Sequence, residues 1–397
     1  MKILIAHNSY QHQGGEDAVV NAEIELLRNH GHEVAVYRRH NREIDSMSRI
    51  AVAGSTVWSQ KTYKEIEQFC DHFQPDLIHG HNTFPLISPS LYWAASCRKI
   101  PVVQTLHNFR LICPQAMLLR EGKICEDCIG KLPWRGITRS CYRDSAIQSG
   151  VIVSMLATHR AIGTYRNHVA AYIALSEFSR EKFIAGGLPA EKIQVKPNFV
   201  EAKLEPNWSM RDGGIFVGRL SFEKGLDVLI EAEKICQSLP DQNKNEKFIR
   251  VIGGGALEEP VQNVFKNNYL GYRTPDEVCK LMHASQFLIA PSTCYETFGL
   301  VAVEAYACGV PVIASRHGGL AELIKDGITG LLFTPGDAAD LARKIVWARS
   351  HPEQMVKMGR AAYTEYLNKY TPERNYHMLH AIYQDAIPAM RGEPHAA

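Results

Sequence analysis

The sequence predicts an α/β protein with two open, mostly parallel sheets, each covered by helices on both faces. Three observations lead to this class. Short apolar segments alternate with helical segments along most of the chain, which is the pattern of parallel strands joined by crossover helices. The alternation is interrupted by an irregular polar stretch at 200–214. The length of 397 residues leaves room for two domains, each with its own core.

The first half of the chain opens with KILIAH (2–7), which predicts a buried strand. The next segment, DAVVNAEIELLRNHG (17–31), predicts a helix closed by Gly31. Further strand candidates follow, namely HEVAVYRR (32–39), PDLIHGH (75–81), PVVQTLHN (101–108), AYIAL (171–175) and KIQVKPN (192–198). Together these elements predict an amino-terminal domain at 1–199.

After the polar stretch the alternation starts again. TPDEVCKLMHAS (274–285) predicts a helix with Thr274 as its cap and Pro275 at its first position. The strand candidates are IFVGRL (215–220), KFIRVIGGG (247–255), NYLGY (268–272), QFLIAPS (286–292) and PVIAS (311–315). We expect a carboxyl-terminal domain at 214–371 and a terminal helix at 372–390 that packs back on the amino-terminal domain. Because open sheets bind ligands at the carboxyl ends of their strands, the two domains are expected to face each other across a cleft.

Composition restricts the partners and the compartment. The net charge of +2 gives no reason to expect nucleic acid, although residues 98–166 contain eleven Lys and Arg against four acids. That basic segment favours an anionic partner such as an acidic lipid surface, and a solvated rim is the plain alternative. The chain has no apolar run near the roughly 20 residues that span a bilayer, and its start, MKILIAHNSY, is too short for a secretion signal. Ten cysteines without such a signal indicate a reducing compartment, so we expect a cytoplasmic protein that can reach the inner face of the membrane.

The segment CYETFGLVAVEAYACGVPVIAS (294–315) contains two carboxylates, Glu296 and Glu304, eight positions apart. On one continuous helix this spacing would separate them by about 12 Å and about 80°. Acid–base pairs of glycosidases lie about 5 Å or about 6.5–9.5 Å apart, so we expect the two glutamates to act separately.

Between the glutamates, TFGL places free backbone N–H groups at a helix start. Thr297 is expected to cap the helix, and Gly299 lets the main chain approach a ligand closely. Since the helix dipole adds positive charge, the expected guest is a phosphate. Glu296 would then reach the group attached to the phosphate, and Glu304 a hydroxyl-bearing group on the other side. Alternatively, Glu304 is a solvated helix residue.

ETFGLVAVE (296–304) resembles the E-x7-E motif of the retaining glycosyltransferases of family four, which have the GT-B fold of two Rossmann-like domains. FVGRLSFEKGLDVLIEA (216–232) resembles the same family's donor-diphosphate segment, and the likeness spans almost the whole chain. The resemblance implies that Glu296 holds the donor sugar and Glu304 the ribose. The motif residues that it assigns to donor binding are Thr297, Phe298, Gly299, Leu300 and Val301.

Two cations in the second motif suit a diphosphate. Arg219 is expected at the end of a strand and Lys224 at the start of a helix, where both can meet a leaving group that gains negative charge. The resemblance assigns both to the leaving nucleoside diphosphate. D-x-D, the carboxylate pair that holds a cation under a nucleotide-sugar in another transferase fold, is absent from the sequence, so we expect catalysis without a metal ion.

Two glycine-rich turns are candidates for close approach to the donor. HQGGED (12–17) follows the first strand, and the family uses this loop, with Gly14 and Gly15, near the donor; a simple turn is the alternative. GGG (253–255) does not complete a dinucleotide fingerprint, because Glu258 stands where the third glycine belongs. We expect Gly254 and Tyr272 to line the nucleotide-base pocket, with a plain tight turn as the alternative.

His107, in TLHNF, is expected at the carboxyl end of a strand. It resembles the active-site histidine of the family, which contacts the transferred sugar. The chain contains 17 histidines, and His107 is distinguished from the others by its predicted position at the carboxyl end of a strand.

Four cysteines in the basic segment form the pattern C-x11-C-x2-C-x12-C. A C-x2-C pair with two flanking thiols fits a tetrahedral structural zinc site, and unligated buried thiols or an iron–sulfur cluster are the alternatives. A subset of the family carries a similar insertion, here at about 110–145. The four residues are Cys113, Cys125, Cys128 and Cys141.

These patterns together predict a retaining glycosyltransferase that uses a UDP- or GDP-sugar, GDP-mannose among them, and a saccharide or lipid-linked acceptor. Polysaccharide or lipopolysaccharide synthesis is the expected context, with peripheral membrane contact through the basic amino-terminal domain. The alternatives are a nucleotide-sugar epimerase or phosphorylase of the same fold, and a nucleotide-sugar-binding module without turnover. A zinc-dependent interaction module would rest on the cysteines alone.

Overall fold

The computed structural model describes residues 1–11, 14–209, 211–239 and 249–391. The chain divides into two compact units. Unit 1 comprises Met1–Leu118, Glu126–Pro197 and Asn375–Ala397, and unit 2 comprises Leu119–Cys125 and Asn198–Arg374. Each unit contains a six-stranded parallel sheet, which confirms the predicted α/β class.

The sheet of unit 1 has the strand order β2-β1-β3-β4-β7-β8, and every pairing in it is parallel. Its strands are β1 (Lys2–Ser9), β2 (Glu33–His40), β3 (Leu77–Gly80), β4 (Val102–Leu106), β7 (Ala171–Ala174) and β8 (Ile193–Val195). A short antiparallel hairpin of β5 (Leu119–Arg120) and β6 (Lys123–Ile124) precedes the last two. The strand order changes direction between β1 and β3. The polar residues that follow these two strands therefore lie together at the carboxyl edge of the sheet.

Helices connect the strands of this sheet. They are α1 (Gly15–Asn29), α2 (Arg49–Val57), α3 (Gln60–Phe73), α4 (Ser90–Cys97), α5 (Arg135–Thr138), α6 (Ala146–Ala161), α7 (Thr164–Asn167) and α8 (Glu177–Ala185). The last helix of the chain, α16 (Pro372–Arg391), adds Leu379, Ile382 and Tyr383 to the apolar core beneath β1. These side chains are almost fully removed from solvent, so the helix shares the core of unit 1.

The sheet of unit 2 has the order β11-β10-β9-β12-β13-β14, again entirely parallel. Its strands are β9 (Gly214–Val217), β10 (Ile249–Ile252), β11 (Tyr269–Gly271), β12 (Phe287–Ala290), β13 (Val312–Ser315) and β14 (Gly330–Phe333). Its helices are α9 (Leu226–Ser238), α10 (Glu258–Phe265), α11 (Pro275–His283), α12 (Leu300–Ala307), α13 (Gly318–Leu323), α14 (Ala338–Ser350) and α15 (Pro352–Lys369). Leu229, Phe287 and Phe333 lie at the centre of its core.

Local signals in the sequence account for several boundaries. Thr274 caps α11 through a capping box with Glu277, and Pro275 is its first residue, as predicted. The described part of 201–213 contains no helix or strand, in agreement with the predicted polar stretch. The strand at 330–333 and the hairpin at 119–124 were not predicted, because four or two residues are too few to show a period. In the described ranges no helix combines the length and the apolar character needed to cross a bilayer.

Candidate active site

Helix α12 begins without a side-chain cap. The residue at the cap position is Gly299, with a φ of 105°, so the prediction that Thr297 caps this helix is wrong. The backbone turns through a left-handed conformation that side chains rarely adopt, and an added Cβ would also press on the Leu320 Cδ2 methyl group at 2.5 Å, so glycine is favoured here. Because glycine at the cap position has no side chain to accept from the first N–H groups of α12, these groups and the positive end of the helix dipole can receive an anion.

The residues around the start of α12 offer mainly backbone groups to a ligand. Phe298 is buried and its ring meets Tyr370 edge-on, with centroids 5.9 Å apart. Leu300 and Val301 form the first turn of α12 and are partly exposed. If these residues bind the donor as predicted, they do so through backbone N–H groups rather than through side chains.

Glu296 and Lys224 form an ion pair directly before this helix. Lys224 Nζ donates to Glu296 Oε1 over 2.6 Å, and Ser292 Oγ donates to the same oxygen over 2.7 Å. Burial alone raises the pKa of Glu296, but the Lys224 ammonium and the Ser292 hydroxyl outweigh it and hold the pKa below its usual range. Glu296 is therefore an ionised acceptor, and Lys224 a cation held in place by it.

Arg219 lies in the loop between β9 and α9, on the same loop as Lys224. Its guanidinium is exposed, and its Nη2 lies 3.2 Å from Glu223 Oε1. The backbone of Glu223 accepts from the Thr293 N–H over 3.0 Å, which ties this loop to the segment before Glu296. Both cations lie in this loop, after the strand that ends at Val217 and before the helix that begins at Leu226, and the structure adds Glu223, whose carboxylate contacts Arg219.

The turn between β13 and α13, together with the first two residues of α13, supports the segment around Glu296. The Gly319 N–H donates to the Glu296 backbone carbonyl over 2.8 Å, and His317 Nε2 donates to the Ser292 carbonyl over 2.7 Å. Gly318 has a φ of 62°, and an added Cβ would lie 3.0 Å from the Glu296 nitrogen. This segment was not predicted to take part in the site, although the adjacent glycines after a strand in SRHGG were an available signal.

Glu304 lies in the second turn of α12, separated from Glu296 by the helix start. Burial raises the pKa of Glu304 above its usual range. A carboxyl group in such surroundings suits hydrogen bonds to neutral hydroxyls, such as those of a ribose, better than an ion pair. The two glutamates therefore differ in electrostatic character, as expected for separate roles.

The glycines of 253–255 serve the packing of the chain itself. An added Cβ at Gly253 would lie 1.9 Å from the Gly218 carbonyl oxygen, and one at Gly255 2.6 Å from the Leu220 carbonyl oxygen. Gly254 accepts from the Leu220 N–H over 3.0 Å. The tight turn that the sequence left as an alternative is thus present, next to the Arg219 loop. Tyr272 is 80% exposed, and its place in a base pocket stays a prediction.

In unit 1, His107 follows β4 and contacts a second histidine. Its Nε2 lies 2.9 Å from His81 Nδ1, and His81 Nε2 lies 3.3 Å from Glu23 Oε1. Burial, followed by the neighbouring His81 ring, brings the pKa of His107 well below its usual range. Burial likewise lowers the pKa of His81 to about 3, so both rings are neutral at pH 7.

A buried lysine completes this cluster. Lys196 Nζ lies 3.2 Å from Glu23 Oε2 and donates to Asn375 Oδ1 over 2.9 Å. Burial alone would raise the pKa of Glu23, but Lys196 and the His79 ring bring it well below its usual range. Glu23 is thus ionised although 1% exposed. The sequence analysis placed it in the first helix without a role, and nothing local distinguished it there.

The glycine loop before α1 is only partly described, because His12 and Gln13 of HQGGED lie outside the described residues. Gly14 is the N-cap of α1 and Gly15 its first residue, and Gly14 N–H donates to Asp17 Oδ2 over 3.1 Å. No atom of the described chain lies within 4 Å of an added Cβ at Gly14, so space is available beside this backbone. Its use by a donor stays a prediction.

Beside this loop lies a carboxyl group that the sequence analysis did not single out. Tyr10 Oη donates to Glu16 Oε2 over 2.9 Å. Burial raises the pKa of Glu16 to about 7, and the Asp17 carboxylate adds to this effect.

The four cysteines of the insertion flank the hairpin and α5. Cys113 and Cys128 are buried, and Cys125 and Cys141 are partly exposed. Their zinc site stays a prediction.

Comparison with known proteins places these features in a family. Residues 212–365 match the sequence profile described as glycosyl transferases group 1, and residues 14–198 match the one described as glycosyl transferase 4-like domain. An uncharacterized glycosyltransferase of Methanocaldococcus jannaschii is 37% identical over 178 residues, which are 43% of this chain and 48% of that protein. D-inositol 3-phosphate glycosyltransferase of Corynebacterium kroppenstedtii is 32% identical over 192 residues, 45% and 41% of the two chains. The chain spans about half the length of these curated relatives.

Solved structures show the same fold. HepE of Anabaena, in complex with UDP, has a TM-score of 0.67 at 20% identity and covers 97% of this chain and 100% of its own. Sucrose-phosphate synthase from Thermosynechococcus elongatus has a TM-score of 0.71 at 18% identity, covering 98% and 99%. The predicted GT-B fold is therefore confirmed, and the two profiles, which match successive parts of the chain, support its similarity to the glycosyl transferases group 1 family.

Proposed function

We propose that the protein is a retaining glycosyltransferase that moves a sugar from a nucleoside-diphosphate sugar to a saccharide or lipid-linked acceptor. The observation that supports this most is the Lys224–Glu296 ion pair next to the uncapped start of α12. A phosphate needs positive charge and N–H donors, and a sugar needs an ionised carboxylate for its hydroxyls. Lys224 has three N–H donors and uses one on Glu296, so it can also serve a diphosphate oxygen.

In this proposal each residue has one task. Glu296 holds the donor sugar and Glu304 the ribose, while Arg219 and Lys224 bind the diphosphate. The C1–O bond to the diphosphate breaks as the bond from C1 to the acceptor oxygen forms on the same face, and the acceptor proton passes to the departing phosphate oxygen. Arg219, Lys224 and the α12 N–H groups stabilise the charge that develops on this leaving group, so no metal ion is required. His107 contacts the transferred sugar.

We propose a UDP-sugar as donor, because HepE, which shares this fold, has been solved with UDP and with UDP-glucose. A GDP-sugar is the competing donor. The base would be contacted by the backbone at Gly254 and by the exposed Tyr272, and neither distinguishes uracil from guanine.

We propose that the acceptor is presented at a membrane surface during polysaccharide or lipopolysaccharide synthesis. The basic segment of unit 1 carries large exposed apolar side chains, with Leu132 60%, Trp134 53% and Ile147 84% exposed. Trp134 and Ile147 lie at the starts of α5 and α6, two helices that pack together, and Arg135 lies over the Trp134 ring at 5.7 Å. Exposed aromatic and aliphatic groups among lysines and arginines suit the interface of an anionic membrane. The protein would then act in the cytoplasm, at the inner face of the membrane.

The proposed activity can be tested in two steps. A thermal-shift panel of UDP- and GDP-sugars identifies the donor, because a ligand raises the melting temperature according to its affinity. Transfer is then measured for Glu296→Gln, Arg219→Ala and the control Lys234→Ala, which removes an exposed lysine of α9. We expect the first two changes to reduce transfer by about 100-fold or more and the control to have little effect. Transfer within a few-fold of the parent in both would contradict the proposal, and an isomerised donor formed without acceptor would indicate an epimerase instead.

A further inference from the structure

We propose that Glu23 and His81 are positioning residues that fix the tautomer and the ring orientation of His107. This inference deepens the proposed function, because it concerns the histidine that we assign to the transferred sugar. It starts from a chain of close contacts that runs from Glu23 through His81 to His107. Glu23 and His81 are 1% and 3% exposed, so water does not compete for these contacts.

Charge determines where the protons lie. His81 Nε2 lies 3.3 Å from the ionised Glu23 carboxylate, and although the two atoms are not aligned for a hydrogen bond, a nitrogen lone pair in that position would be repelled. His81 therefore carries its proton on Nε2. Since the ring is neutral, its Nδ1 is an acceptor, and His107 Nε2, 2.9 Å away, must donate to it. His107 is then held as the tautomer with its proton on Nε2 and a lone pair on Nδ1.

The groups around Glu23 and His81 stabilise these protonation states. Lys196 Nζ lies 3.2 Å from Glu23 Oε2 and balances its charge. His79 Nδ1 lies 3.0 Å from Glu23 Oε1, and its two nitrogens contact Tyr383 Oη and Thr105 Oγ1, each at 2.7 Å. His7 faces the His81 ring at 6.3 Å and contacts Asp17 Oδ1 at 2.9 Å.

A metal ion is a poor alternative for this cluster. Glu23, His79 and His81 do bring three ligand atoms within 4.8 Å of one another. However, the Lys196 ammonium already lies against the carboxylate, and both nitrogens of His79 are engaged by hydroxyl groups. A dication would have to displace a buried lysine from its counter-charge, which is costly.

The test uses two changes at His81. Asparagine places an amide oxygen close to the position of Nδ1, so His81→Asn keeps an acceptor for His107, whereas His81→Leu removes it. We expect His81→Leu to lower kcat by about tenfold or more with little change in the donor KM, and His81→Asn to recover most of the loss. Equal kcat values for the two variants would contradict the proposal.

Nitrogen NMR of histidine-labelled protein gives a second measurement that needs no turnover. The His107 signals, assigned by their loss in His107→Gln, should show a protonated Nε2 and an unprotonated Nδ1 in the parent. In His81→Leu this preference should be lost. A parent His107 protonated on Nδ1 would overturn the inference even if transfer is observed, and the expected tautomer would support it even if the proposed transfer is not.

Independently, the geometry of unit 2 points to a metal site formed by Cys279, His283 and Cys308. One ligand atom from each of the three residues lies within 4.8 Å of the others. Cys279 and His283 are four residues apart on α11, which places them on one face of the helix, and Cys308 ends α12. His283 is 9% exposed, and its buried Nε2 has no hydrogen-bond partner among the described residues.

The donor set suits zinc. Two thiolates neutralise a Zn²⁺ ion, an imidazole is the third ligand, and a water molecule can take the fourth position from the partly exposed side of Cys279. Because zinc binds thiolates, its binding must release the thiol protons of Cys279 and Cys308. Other charged groups near these thiols are Glu304 and Arg211, which donates to the Cys308 carbonyl over 3.0 Å.

Alkylation of Cys279, followed by mass spectrometry of its peptide, tests this site separately from the four cysteines of the insertion. We expect Zn²⁺ to slow the alkylation of Cys279 by about tenfold or more in the full-length parent, while the exposed Cys97 is unaffected. The protection should disappear in His283→Gln and in Cys308→Ser, both of which retain Cys279. An unchanged Cys279 rate in the parent, or full protection in both variants, would overturn the proposal.

Discussion

At the scale of single residues, the electrostatic differences among the carboxyl groups carry most of the functional information. Glu296 is ionised beside Lys224, whereas burial raises the pKa of Glu304. The sequence predicted separate roles for the two from their spacing alone. It could not predict the Lys224–Glu296 contact, because the two residues are 72 positions apart and only the fold brings them together.

Glu16 gives a prediction for stability against pH. Burial raises its pKa to about 7 in the folded protein, from 4.5 in the unfolded chain. Between these values the folded state retains a proton that the unfolded state has lost, so the free energy of unfolding falls as the pH rises through this window. Glu16→Gln removes this pH dependence. As the pH rises from 5 to 8.5, we expect the free energy of unfolding of the variant to increase by about 1–2 kcal/mol relative to that of the parent.

Urea unfolding at the two pH values measures this difference. Glu25→Gln, an exposed change on the same helix, is the matched control and should shift little between them. A Glu16→Gln advantage that does not grow with pH would contradict the assigned pKa.

At the scale of elements, the start of α12 is the feature on which donor binding depends in our proposal. The sequence predicted a helix start at TFGL, and the structure has the helix at Leu300–Ala307. The cap was mispredicted because Thr297 is a favourable cap residue by type, whereas the left-handed turn of the backbone at Gly299 sets the helix start two residues later.

Gly299→Ala is expected to affect both stability and binding. Its φ of 105° is unfavourable for alanine, and its Cβ would lie 2.5 Å from Leu320 Cδ2, so we expect a loss of about 2–4 kcal/mol in the free energy of unfolding. Gly327→Ala is the control, since it has a φ of 75° but no atom within 4 Å of the added Cβ. We also expect Gly299→Ala alone to weaken donor binding.

Denaturant titration and donor titration of the two variants together check this prediction. Equal losses of stability for both variants would show that strain, rather than the contact with Leu320, dominates. Unchanged donor affinity in Gly299→Ala would argue against an anion site at this helix start.

At the scale of the whole molecule, the sequence predicted the α/β class, the GT-B fold and most of the strands. It did so because alternating apolar segments, interrupted by one polar stretch, are a property of the entire chain. It did not reveal the buried cluster around Glu23, since Glu23, His81, His107 and Lys196 come from distant segments of unit 1. Such a cluster follows from topology rather than from any local pattern.

The charge and the exposed side chains of unit 1 predict binding to anionic vesicles. Trp134→Ala combined with Ile147→Ser should reduce co-sedimentation with phosphatidylglycerol vesicles by about fivefold or more, and raised salt should weaken binding of the parent. Leu367→Ser, which removes an exposed apolar residue of unit 2, should have little effect. Binding that is equal in all three proteins, or that does not depend on salt, would contradict membrane contact through this segment.

Calorimetric titration of UDP and of the matching UDP-sugar tests the central claim most directly. If Lys224 and the start of α12 bind the diphosphate while Glu296 binds the sugar, Lys224→Met should weaken both ligands by about tenfold or more. Glu296→Gln should leave UDP binding within a few-fold but abolish the additional affinity of the UDP-sugar. Affinities for both ligands that match the parent in both variants would contradict the assignment of this site to the donor.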